Sequence, residues 1–190
     1  MLSALTEKAW NVSVDHFSIN RWAILFLPLL EKVLRNHKRP VGGGWRMDET
    51  YIKVKGAWHY LYRAVDKEGK TVDFLLASRR DNAAALQFFE KAMKANGVLE
   101  KVTMDKSGAN KATIDDINTS REMLIPVWQV KYLNNLVEQD HRAIKRITKP
   151  MLNFKSFRAA RCVLAGIELL HMIRKGQCMI KDGYVMSFAD

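Results

Sequence analysis

Cysteine is scarce in this chain: Cys162 and Cys178 are the only two in 190 residues, with no CxxC pair and no histidine at finger-like spacing. Neither a disulfide framework nor a zinc site is indicated, and a reducing compartment fits. Long apolar runs are also missing. The stretch 23–30 is too short to span a bilayer and contains Pro28, and 163–173 is interrupted by Glu168 and His171. With no export signal either, a cytoplasmic protein is expected. No GxxxxGK[ST] loop is present, and Gly42, Gly43 and Gly44 precede a strand-like run instead of opening a helix, which argues against a phosphate-cradling glycine loop. Acid is in deficit: 20 Asp and Glu stand against 31 Lys and Arg, for a formal net charge of +11 and a pI near 9.7. Such an excess favours a polyanionic partner, nucleic acid first, over an inert basic surface.

What is present suffices for a folded protein. With 190 residues and 48% hydrophobic content, about one domain with a small appendage is expected. Residues 1–35 read as short helices around a break at 11–13, and 36–44, carrying Pro40 and three glycines, read as a linker. From Trp45, three β-rich runs (45–54, 58–66, 71–78) are separated by Gly56 and by Asp66-Lys67-Glu68-Gly69, which predicts an antiparallel meander. A helix over 82–95 follows, its Ala85, Phe88, Phe89 and Ala92 stripe facing the sheet. A strand over 98–105, a short helix, a fifth strand over 123–130 and helices over 133–147 and 157–174 complete the order. The fold class is α/β, with a mixed five-stranded sheet flanked by helices in ribonuclease-H-like order over 45–190.

Three acids stand in settings that phosphoryl-transfer chemistry would use. Asp48 lies inside the first strand, Asp105 ends the fourth, and Glu138 sits on a helix rich in base. Two divalent ions about 4 Å apart stabilise the attacking and leaving oxygens of an in-line displacement. Magnesium takes hard oxygen ligands, so three carboxylates serve two ions without histidine or cysteine. Each acid alone has a plainer explanation: an exposed strand charge beside Glu49, a turn cap, a helical pair with Arg142. Close carboxylates should also repel, raising at least one pKa.

The surroundings of Glu138 favour the metal reading. Asn134, Glu138, Arg142 and Lys145 share one polar stripe at helical spacing, with Leu133, Leu136, Ile144 and Ile147 as apolar contacts. Between Lys131 and Arg161, eight Lys and Arg face two acids, and Arg146 and Lys149 lie within this segment. A phosphate backbone is expected to bind there. Near the start, 14–22 places Asp15, Ser18 and Arg21 on one helical face, as a recognition helix would. His59 and His171 read as packed, and His141 as an exposed helix position.

Four blocks carry a family resemblance: Trp45-Arg46-Met47-Asp48-Glu49-Thr50-Tyr51, Asp105-Lys106-Ser107-Gly108-Ala109-Asn110, the run from Lys131 to Arg146 centred on Glu138, and Phe154-Lys155-Ser156-Phe157-Arg158. Through them the chain resembles the DDE-type, integrase-core transposases of bacterial insertion sequences, insertion sequence family six. The resemblance implies a ribonuclease-H-like fold, DNA cleavage at element ends with strand transfer, and two magnesium or manganese ions held by Asp48, Asp105 and Glu138. It implies Lys145 as the base seven residues after Glu138, and a dimer or larger assembly on terminal repeats and target DNA. Members usually open with a complete helix-turn-helix; here 1–35 reads as part of one. A competing expectation is therefore a catalytically silent DNA-binding relic or transposition inhibitor.

Overall fold

The computed structural model describes residues 14–105, 108–119, 124–130, 135–179 and 184–186. The chain divides into two compact units, Arg39–Lys155 and a second formed by residues up to Lys38 together with those from Ser156 onward.

The first unit is built on a five-stranded sheet of order β3-β2-β1-β4-β5. Strands β1 (Gly44–Val54), β2 (Ala57–Asp66) and β3 (Thr71–Ala77) form the antiparallel meander. Lys55 and Gly56 connect β1 to β2 with φ of 50° and 80°. Positive φ at both central residues gives the two-residue hairpin turn whose twist matches its strands. Strands β4 (Lys101–Thr103) and β5 (Val127–Trp128) add in parallel, both shorter than their sequence runs suggested. The glycine run before β1 serves this parallel pairing. A Cβ on Gly43 would come within 2.5 Å of the Glu100 side chain, and the Gly43 carbonyl accepts from the Glu100 N–H at 2.9 Å.

Helix α2 (Asn82–Asn96), capped by Asp81, and α3 (Gly108–Thr119) pack on each other over one face of the sheet. Ala85, Phe88, Phe89 and Ala92 are fully buried against Trp45, Met47, Tyr62 and Val102, with Tyr62 stacked on Phe88. Side chains alternate across a strand, so Trp45 and Met47 point into this core while Asp48 points to the opposite face. That face takes α4 (Asn135–Thr148), which packs on β1 and β2 and runs into a 3-10 turn, Lys149–Met151. The buried side of α4 is Val137, His141 and Ile144; Leu136 is half-buried and Ile147 exposed. The apolar stripe read from sequence is thus rotated by about one residue, because a histidine takes a buried position.

The second unit pairs α1 (His16–Arg35) with α5 (Phe157–Arg174). Asp15 accepts from the Phe17 and Ser18 N–H groups at 2.7 and 3.0 Å. It therefore caps α1, where the sequence reading placed it on a recognition face. The helix continues through Pro28 to Arg35. The partner helix of the expected helix-turn-helix, before residue 14, lies outside the described residues.

Candidate active site

Strand β4 stops at Thr103, its pairing with β1 ending at Arg46. Beyond that point the β1 edge is free of β4, and Asp105, two residues past the strand end, comes up beside it. Asp48, Glu49 and Asp105 each offer a carboxylate oxygen, all lying within 4.8 Å of one another. Asp48 and Asp105, 57 positions apart in the sequence, thus meet because β1 and β4 are parallel neighbours.

Glu138 stands outside this compact group, half-buried in the first turn of α4. It lies three residues before His141, whose Nε2 is 3.3 Å from Asp48 Oδ2. This is ion-pair distance without good hydrogen-bond alignment, since His141 Nε2 has no partner by angle. His141 is 5% exposed, a correction to its reading as an exposed helix position. The residue before it, Asp140, accepts from Arg63 Nη2 at 3.2 Å. Arg63 is fully buried and is the register partner of Asp48 on β2. These adjacent contacts fix α4 over β1.

Glu49 entered the sequence reading only as the neighbour of Asp48. Its carboxylate is almost wholly buried, on the core face that also holds Trp45 and Met47. Arg80 Nε donates to Glu49 Oε1 at 2.9 Å, and Arg80 Nη2 lies 3.9 Å from Asp105 Oδ2. Burial pushes the Glu49 carboxyl above its ordinary value, with Arg80 and Asn110 opposing the shift and Asp105 adding to it. The raised pKa is that of Glu49, which is not one of the three acids named from sequence, and its main cause is desolvation rather than repulsion. Arg80, despite its own partial burial, is held more firmly protonated by Glu49 and Asp105. Asn110, fully buried on α3, has its carboxamide beside Glu49 but outside good hydrogen-bond geometry. Sequence signals for these residues existed: Glu49 occupies a core-phase position on β1, and Asn110 closes the Asp105 block.

The donor set suits a hard divalent cation. All three clustered ligands are carboxylate oxygens, and Glu49 Oε2 is buried with no hydrogen-bond partner, an atom that a cation could satisfy. Of the expected DNA contacts, Arg142, Lys145, Arg146 and Lys149 are exposed on α4 and the turn after it. Arg21 is exposed on α1 in the other unit, and Lys131 and Asn134 lie outside the described residues.

A family model described as a DDE domain matches residues 42–177. The chain is 37% identical over 167 residues to the transposase for insertion sequence-like element IS431mec of Staphylococcus aureus, covering 87% of this chain and 73% of the relative. The same figures hold for the transposase of insertion sequence element IS257 from that organism. Among solved structures, the catalytic core domain of HTLV-2 integrase in complex with magnesium aligns with a TM-score of 0.53 at 17% identity, over 77% of this chain and 95% of that one. A chain of the simian T-cell lymphotropic virus intasome aligns with a TM-score of 0.52 at 16% identity, over 78% of this chain and 55% of that one. These two likenesses show the fold, the ribonuclease-H-like core of retroviral integrases. Family match, identity and fold agree: the chain belongs to the DDE-domain transposases of bacterial insertion sequences.

Proposed function

We propose that the chain cleaves DNA at the ends of an insertion sequence and joins the freed 3′-hydroxyl to a target phosphodiester. The observation that carries this reading is the meeting of Asp48 and Asp105 with the buried Glu49 at the open edge of β1, beside the basic helix α4. Asp48 and Asp105 would hold two magnesium or manganese ions, and Glu138 would complete the shell from α4. The chemistry the ions supply when bound is charge stabilisation on the attacking and leaving oxygens.

The chain's own residues do the rest. His141, packed against Asp48, orients that carboxylate, as residues behind metal ligands generally do. Arg80 balances Glu49 and Asp105 so that neighbouring carboxylates remain together. Arg142 and Lys145, one turn apart on the exposed side of α4, hold phosphate next to the acids, with Arg146, Lys149, Lys131, Asn134 and Arg21 adding backbone contacts. Terminal repeats and target DNA are the partners, bound by a homodimer or larger assembly that pairs two ends.

The test is nicking and joining of end-containing DNA by the purified chain with magnesium. Activity that vanishes with chelator and in Asp105→Ala protein is expected. Cleavage that persists in either overturns the assignment, and DNA binding with no cutting at any metal concentration favours the silent relic.

A further inference from the structure

We propose that the cleft on β1 and β2 next to the acid cluster is a stacking site for one unpaired DNA base. This rests on the DNA-processing reading above and adds to it the form in which a strand is held. The cleft encloses about 610 Å³. Its platform is aromatic: Tyr51 on β1 packs on Tyr60 at 5.3 Å between ring centroids and meets Trp58 edge-on at 6.3 Å. Tyr51 and Trp58 are 49% and 60% exposed, a poor use of large aromatic surface in a protein with a well-packed core. The far wall is Phe154, whose segment bridges in parallel to Val54 and so extends the β1 edge that β4 leaves open.

Charge selects the occupant. Lys53, Lys145 and Lys149 line the cleft and no acid among the described residues does, so the fit is to an anion that also carries a flat apolar ring. Lys53 Nζ lies 5.7 Å from the centre of the Trp58 ring, leaving its charge at the platform's rim. A nucleotide has both features. A paired base offers only its edges, whereas an aromatic platform needs an open base face, so the base must be out of the duplex.

Position ties the cleft to the chemistry. Tyr51 is two residues past Glu49 on the same face of β1, about 7 Å along the strand. Lys145 is one helical turn from His141, which touches Asp48. A strand whose phosphate sits at the acids would therefore carry a base a nucleotide or two away into the cleft.

The experiment uses the full chain in metal-free buffer with a short single-stranded oligodeoxynucleotide carrying one 2-aminopurine, and a duplex of the same sequence. Trp58→Ala, a change at an exposed position, should weaken single-strand binding roughly tenfold and abolish the fluorescence quenching of the stacked probe. Trp58→Phe should restore both, and duplex affinity should stay within twofold throughout. Unchanged single-strand binding and quenching in Trp58→Ala, or an equal loss on single strand and duplex, overturns the proposal. Magnesium-dependent cleavage by the native chain is measured alongside. Quenching lost in Trp58→Ala from a chain that never cleaves DNA supports the cleft while removing the catalytic reading. Cleavage without stacking does the reverse.

Discussion

Glu49 meets two opposing demands, since burial favours its neutral form while Arg80 favours its charge. Its carboxyl keeps a proton to higher pH in the fold than at its ordinary value of 4.5. Between those two values the folded state binds more protons than the unfolded chain, so stability falls as pH rises through the window just above 4.5 and levels off beyond it. Glu49→Gln should flatten that limb, read from urea midpoints across the acid range in the presence of chelator. The same substitution should weaken divalent-ion binding about 10- to 100-fold, because it loosens the carboxylates around Asp48 and Asp105. Manganese titration followed by water-proton relaxation measures this; unaltered affinity would place Glu49 outside the site. Asp48 and Asp105 were legible as candidates because acids inside strand-like runs need a reason to be there. Glu49 was hidden because a carboxylate next to another carboxylate looks solvated, and only the packing of Trp45 and Met47 beside it shows otherwise.

Helix α4 carries two jobs on two faces. Its inner face is pinned by the Asp140 contact to buried Arg63 and by His141 against Asp48. Asp140→Ala should destabilise the chain by about 2–4 kcal/mol, since it takes away a charge that offsets the desolvation of buried Arg63. Urea unfolding followed by tryptophan fluorescence checks this, and a change below about 0.5 kcal/mol would show the pair to be incidental. The outer face carries Arg142 and Lys145, both exposed. If each neutralises one phosphate, Arg142→Ala with Lys145→Ala should lower the slope of log affinity against log salt by about two, with little effect on sequence preference. The basic stripe was readable from helical spacing alone. That His141 is buried was not, because its environment is set by β1, far away in sequence.

For the whole molecule, a bound ion stabilises only the fold that assembles its ligands. Magnesium at 100 times its dissociation constant should add roughly 2.7 kcal/mol, a rise of about 5–10 °C in the melting midpoint for a chain of this length. The Asp48→Ala, Asp105→Ala, Glu138→Ala triple variant should show no rise, and an equal shift there would mean that magnesium acts elsewhere. Among the described residues no helix is long and apolar enough to cross a membrane, in line with the short apolar runs of the sequence. By itself the sequence determined the element order, the β1–β2–β3 meander, the Ala85-Phe88-Phe89-Ala92 face of α2 and the basic helix, because each follows from local periodicity and turn chemistry. Only the tertiary structure decided which carboxylates meet. Parallel pairing of β4 on β1, and its early end at Thr103, bring Asp105 to Asp48 and draw in Glu49, while Glu138 stays outside that group on α4. Long-range strand pairing leaves no local trace in the chain, and burial is a property of neighbours that the sequence does not place side by side.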